Sequence, residues 1–381
     1  MAFETSIIDP AANPELLGHD QAISTLEQAL GSGRLHHGWL FHGPLGIGKA
    51  TLAFRLARVL LAGQASGPGL DLDSAHPVFA QVAGRHHPDL FIIEAERDPK
   101  TGKVKPQIPV DKLREVTAKL HSTSALSERR VLIIDGAEKL NRNAANALLK
   151  PLEEPPAGVV LILISHRPGR VAATLRSRCA KLPMARLDEA LLQDLLRRQA
   201  PDLDASSIPP IIAVANGSIG RALEIANSDW LKTYQKVLET LATEPPDALA
   251  IDSLASTLAK WSAKEGFPVV MDLVQTAFGR IIAAKTDRLD ARLFSDELEI
   301  LERLAARQQG LDRWAGLWEK IGRLSAAVDG LNLDHAQALA QILSAMATPP
   351  RRALPFTQPT SSKAGALLER SPLFGGDHAV R

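Results

Sequence analysis

The sequence predicts an α/β amino-terminal half followed by an all-α carboxy-terminal half. Three observations carry this. Continuous apolar runs alternate with amphipathic stretches up to Leu187, as expected of parallel strands buried on both faces and covered by helices. A glycine-rich turn ending in Gly48 and Lys49 follows the first run. Beyond Leu187 strand signals fade and helical spacing takes over.

Trp39, Leu40 and Phe41 form the first candidate strand, running into the glycine turn. Leu90 to Ile93, Val131 to Ile134 and Val159 to Ile164 are three further apolar runs, and Cys179 to Met184 is a weaker fifth. Between them, Ile23, Leu26 and Leu30 share one helical face, as do Leu52, Leu56, Val59 and Leu60. Asn141 or Asn143 is positioned to cap a helix carrying Ala145, Leu148, Leu149 and Leu152, ended by Pro155 and Pro156. Pro151 falls inside that pattern and predicts a kink. Residues 63–88 break the rhythm and read as an insertion in a core spanning residues 1–186. Pro245 and Pro246 separate a small helical unit, 187–244, from a larger one, 245–348. Trp314 and Trp318 stand one helical turn apart beside Leu317, Ile321 and Leu324, which predicts a packing face. Residues 349–381 are rich in Pro, Ser, Gly and Arg and read as a flexible tail.

A chain of 381 residues is too long for one compact core. Its 44 Lys+Arg against 43 Asp+Glu argue against bulk attraction to nucleic acid. The single cysteine, Cys179, excludes an internal disulfide and a cysteine-rich zinc site. The amino terminus lacks a signal-peptide pattern, and no uncharged apolar run reaches the roughly 18–20 residues that cross a bilayer. The expectation is a cytoplasmic chain with no membrane partner.

Gly43, Gly46, Gly48 and Lys49 have the spacing of a phosphate-binding loop between a strand and a helix. The glycines let backbone N–H groups approach phosphate, and Lys49 is the candidate for the β and γ oxygens. The next residue is ordinarily a Ser or Thr that holds Mg²⁺; here it is Ala50. Thr51 lies about 100° further round the helix, a poor substitute. ATP or ADP binding survives this loss better than metal-dependent hydrolysis does, and Mg²⁺ is expected only with bound nucleotide. Asp135 ends the third strand as a candidate metal-holding carboxylate. Gly136 follows it, and Glu138 is expected to point elsewhere, leaving no clear general base. Arg97, Lys100, Lys103, Lys105, Lys112 and Arg114 cluster, but with Asp98, Asp111 and Glu115 interspersed they read as a solvated face rather than a DNA-binding one.

Taken in order, His36 to Phe41, the phosphate loop, His87 to Leu90, the Leu-Glu-Glu-Pro-Pro of 152–156, and Leu175 to Cys179 resemble the clamp-loader AAA+ family of bacterial DNA replication, and within it the delta-prime type. The match is dense from Leu17 to Arg221 and thin beyond. The resemblance implies an AAA+ core with a parallel five-stranded sheet, a three-helix lid and a helical collar for assembly with gamma/tau and delta subunits in a heteropentamer. Sliding clamp and primed DNA are then met through the complex. It implies that Arg178 acts in trans as an arginine finger on a neighbour's ATP, where such fingers are worth on the order of 10³–10⁵ in rate. It implies that Arg221, after Gly217 and Ser218, senses nucleotide at the home site, and that Ser165 and His166 stand where a first polar sensor belongs. The zinc cysteines of many relatives have no counterpart among His76, His86, His87, Asp71 and Asp73, so no zinc is expected. The alternative function within the same complex is the ATP-hydrolysing motor subunit.

Overall fold

The computed structural model describes residues 8–65, 67–95, 107–120, 126–289, 291–307, 314, 316–319, 321–322 and 334–348. The expected tail, along with Arg97, Lys100, Lys103, Lys105 and Leu324, lies outside them.

All five expected strands form: β1 (Gly38–His42), β2 (Leu90–Glu94), β3 (Arg130–Asp135), β4 (Val159–Ser165) and β5 (Ala180–Pro183). They make one sheet in the order β2-β3-β4-β1-β5, every pair parallel. The apolar runs are continuous because both faces are covered. Phe41, Ile133 and Ile162 enter the core under α1 (Asp20–Gly31) and α2 (Lys49–Ala62), with Leu26, Leu52 and Leu56. Their strand neighbours Leu40, Leu132 and Leu161 enter the opposite core, with Leu113 and Leu148. Side-chain alternation along a strand gives this division directly.

Within residues 63–88 a short helix, α3 (Pro77–Ala83), is capped by His76, whose ring accepts from the Val78 N–H at 3.2 Å. On the far face, α4 (Val110–Leu120) precedes α5 (Arg142–Ala147) and α6 (Leu149–Glu153). Asn141 is the cap, its side chain accepting from the Ala144 N–H at 2.8 Å. The helix expected to run through Leu152 is divided at Leu148. Pro151 has no N–H for the carbonyl four residues back, and its ring crowds that turn. The short helix α7 (Ala173–Arg176) leads into β5.

Residues 1–229 and 230–381 form two compact units. Helices α8 (Glu189–Gln199), α9 (Ile208–Ala215) and α10 (Ile219–Ala226) belong to the first. Sequence punctuation at Pro245 and Pro246 placed the lid boundary at residue 244, but α11 (Trp230–Ala242) falls in the second unit. Its buried stripe of Trp230, Tyr234, Val237, Leu238 and Leu241 packs against α12 (Ala248–Glu265), α13 (Phe267–Lys285), α14 (Glu297–Ala306) and α15 (His335–Ala347). The proline pair therefore marks a loop inside one helical unit.

In that unit Glu297 is fully buried, and its carboxylate accepts from Tyr234 Oη (2.7 Å), Arg280 Nε (2.7 Å) and Nη2 (2.8 Å), and the Leu293 N–H (2.6 Å). Complete pairing is the condition for burying a charge without heavy cost. Trp314 is buried against Phe278, the ring centroids 5.3 Å apart, as expected of a packing face. Trp318 stacks on the same ring at 5.7 Å yet stays 43% exposed. By length and composition α13 alone among the described helices could cross a membrane. Its Val270, Leu273, Val274 and Phe278 are buried in this unit, the position of a core helix.

Candidate functional site

The phosphate loop, Asp135 and Ser165 all sit at carboxyl ends of neighbouring parallel strands, β1, β3 and β4, where open α/β sheets place their ligands. The Gly43 N–H donates to Ser165 O at 3.3 Å and the Gly136 N–H donates to Ile164 O at 3.1 Å. These bonds tie the loop and the acidic strand end to β4.

Gly46 and Gly48 adopt φ of +73° and +105°, values that side-chain-bearing residues resist. Leu16 and His19 pack under Gly48, where a Cβ would lie 3.1 Å from Leu16 Cδ1 and 3.5 Å from His19 Nε2. His19 is buried, and its Nε2–H donates to Ile47 O at 2.6 Å. Burial lowers its pKa, against the bond to Ile47 and the charge of Asp20. Nothing in the linear spacing pointed to this histidine.

Lys49 opens α2 and is buried, its ammonium donating to Pro44 O within the same loop. Burial brings its pKa down to about 8, with the nearby carboxylates of Asp135 and Glu138 opposing the shift. An incoming phosphate would have to take Lys49 from that carbonyl. Ala50 is half-buried and offers no hydroxyl, and Thr51 is buried in α2. The loop glycines keep the positive φ of a phosphate cradle, whereas the hydroxyl expected to hold Mg²⁺ is absent at position 50.

Asp135 has its pKa raised first by burial and then by the charge of Glu94, with Lys49 opposing. Glu138 departs from expectation. Gly136, at φ +87°, starts a tight 3-10 turn, Ala137–Lys139. That turn brings Glu138 back toward the strand ends, where its Oε1 accepts from the His166 N–H at 3.4 Å. Its charge bears on Lys49, Asp135 and His166 together. A left-handed residue at 136 favours glycine, so the glycine and the inward glutamate belong to one turn. His166 has its pKa lowered by burial and by Lys49.

The lid lies directly on the loop. Ser218 caps α10, accepting from the Arg221 N–H at 3.2 Å while its own hydroxyl donates to Leu45 O at 2.9 Å. The Gly220 N–H donates to Gly46 O at 2.9 Å. Arg221 is half-buried in the first turn of that helix, its backbone N 3.3 Å from where a Cβ on Gly46 would stand. Position thus brings the Arg221 backbone to the loop.

Arg178 stands apart from this cluster. Arg176, two residues earlier, folds back to donate from Nη1 to Pro168 O at 2.9 Å. Arg178 instead lies at the surface, its side chain 36% exposed, with Nη2 2.5 Å from Glu153 Oε1 and Nη1 donating to Thr174 O at 3.0 Å. Cys179 is buried, and burial raises its thiol pKa to about 11, so it anchors the segment as an apolar group.

In and beside the insertion, Asp71 pairs with Arg55 at 3.2 Å and Asp73 Oδ1 accepts from the Ala75 N–H at 2.9 Å. Asp89 Oδ2 accepts from the Leu126 and Ser127 N–H groups at 2.9 Å each, and His87 Nδ1 accepts from the Asp89 N–H at 3.2 Å. Among the described residues no group of three His, Cys, Asp or Glu side chains is arranged to hold a metal ion. Of the basic cluster, Arg114 pairs with Asp111 at 3.6 Å on exposed α4.

Residues 18–188 match the family described as DNA polymerase III, delta subunit. The DNA polymerase III subunit delta' of Pseudomonas aeruginosa is 36% identical over 182 residues, 48% of this chain and 53% of that one. The delta' subunit of Escherichia coli K12 is 33% identical over 217 residues, 56% of this chain and 62% of its own. The gamma/tau subunit of Mycobacterium bovis is 28% identical over 275 residues, 70% of this chain and 46% of its own. The chain thus spans about half the length of the curated relatives it matches. The family match and the delta' relatives support the delta-prime clamp-loader resemblance.

Proposed function

We propose that this chain is a delta-prime-type subunit of the DNA polymerase III clamp loader. In this role it completes a neighbouring subunit's ATPase site with Arg178 and helps to place the sliding clamp on primed DNA. The observation that carries the proposal is the contrast between its two basic groups. Lys49 is buried and turned onto its own loop, beside an alanine where the metal-holding hydroxyl belongs. Arg178 is presented at the surface with its guanidinium already oriented.

A guanidinium stabilises the charge that builds on a transferring phosphoryl group, and does so most strongly when oriented in advance. The home loop holds ATP or ADP, with Mg²⁺ entering only alongside it, in a structural capacity without turnover. Gamma/tau and delta are the partners, in a heteropentamer assembled through the helical carboxy-terminal unit and working in the cytoplasm.

One observation favours a second function, that of an ATP-hydrolysing motor subunit: Glu138 is turned toward Lys49 and Asp135. ATP turnover by the purified chain alone separates the two. The finger-donor role predicts background hydrolysis and stable association with gamma/tau and delta. Brisk turnover lost in Lys49→Ala would establish the motor instead.

A further inference from the structure

The two sequence segments that most narrowly define the family resemblance, 152–156 and 175–179, meet at one place, and β1 joins them. A Cβ on Gly38 would collide with Leu152 Cδ2 at 2.5 Å and approach Cys179 Sγ at 3.6 Å and Arg178 O at 3.7 Å. His37 Nε2 donates to Leu152 O at 2.8 Å. The backbone carrying Glu153 is therefore registered against the backbone carrying Arg178. Their side chains close the gap as an ion pair of 2.5 Å, exposed by 48% and 36%.

We infer that Glu153 is a positioning residue for Arg178, a role that rests on the finger reading and deepens it. Glu153 ends α6, where a negative charge faces the negative end of the helix and is locally unfavourable. The carboxylate gains its partner across the fold rather than within its own helix. Arginine has a long, many-rotamer side chain, and an unfixed guanidinium must be ordered at each turnover. Here Glu153 takes Nη2 and the Thr174 carbonyl takes Nη1. Among the described residues nothing else pairs with the guanidinium, and its remaining N–H groups are left for an incoming phosphate oxygen. Because the pair faces outward, the guanidinium meets a neighbouring subunit's triphosphate without leaving Glu153.

The test is ATP turnover by the complex reconstituted with gamma/tau, delta, clamp and primed DNA. It compares Glu153→Gln, Glu153→Asp, Arg178→Ala and the Glu153→Gln/Arg178→Ala double variant. Glu153→Gln is expected to lower kcat about 10-fold, since a misplaced reacting group costs orders of magnitude, with KM for ATP and the melting temperature of the chain unchanged. Glu153→Asp recovers part of the loss, and Glu153→Gln adds nothing once Arg178 is alanine. Parental kcat in Glu153→Gln beside a depressed Arg178→Ala would overturn the positioning role while sparing the finger. Additive losses in the double variant would overturn it equally. An Arg178→Ala complex as fast as the parent removes the finger reading itself.

Discussion

The backbone N–H of Gly220 donates to the carbonyl of Gly46 at 2.9 Å, so the first turn of a lid helix is bonded straight onto the phosphate loop. Ser218 adds a second bond, to Leu45 O. The approach is so close that neither glycine has room for a methyl group. A Cβ on Gly220 would stand 3.0 Å from Gly46 Cα, and one on Gly46 would strike Ser218 Oγ.

Gly46→Ala should therefore destabilise the amino-terminal unit by about 1–3 kcal/mol, combining steric overlap with a strained positive φ. Its signature is faster amide exchange in 208–226 as the lid lifts. Gly31→Ala, with open space around its Cβ, serves as the control. Equal effects from the two substitutions would contradict the close lid–loop contact.

Lys49 gives the chain a distinct pH response. Its pKa falls from 10.5 in the unfolded reference to about 8 in the fold. Between those values the unfolded chain binds the extra proton, so this group's contribution to stability rises with pH. Below about 8 the folded state carries the full cost of a buried ammonium. Lys49→Met should remove this contribution, so the difference in melting temperature between variant and parent shifts in the parent's favour as pH rises from 7 to 9.5. A difference independent of pH would show that the ammonium is not held in that environment.

The buried carboxylate of Glu297 makes a prediction in the other unit. Glu297→Ala takes away the fully buried carboxylate and leaves the half-buried Arg280 without its ion-pair partner, a change that costs about 3–5 kcal/mol. Tyr234→Phe removes one bond to the same carboxylate and should cost about 1–3 kcal/mol. Denaturant unfolding of the full chain should show the order Glu297→Ala, Tyr234→Phe, parent in rising midpoint. Coincident midpoints would count against the triad as a stabilising element.

Much of this architecture is written locally. Val159 to Ile164 reads as a doubly covered strand because every side chain of β4 is buried. The phosphate loop is legible because its glycines and lysine are contiguous. Arg178 is distinguished from Arg176 only through its resemblance context, and the structure supplies the physical difference: one guanidinium turned inward to Pro168, the other outward to Glu153. Other features join distant positions and leave no local trace. Ser218 meets Leu45 across 173 residues, and His19 supports Ile47 through a bond that no periodicity encodes. The inward direction of Glu138 depends on a left-handed turn at Gly136, which helical spacing does not encode. The unit boundary was displaced because Pro245 and Pro246 mark any sharp loop, whereas the buried face of α11 decides where that helix belongs.

The central claim is that this chain's chemistry is directed outward, to a neighbour's ATP. The most direct measurement compares Arg178→Ala with Lys49→Ala in the same reconstituted clamp loader, reading ATP turnover under saturating ATP, clamp and primed DNA. The expected result is a loss on the order of 10³-fold or more at each site Arg178 serves, with Lys49→Ala close to the parent. The reverse ranking, with Lys49 indispensable and Arg178 dispensable, would contradict the account.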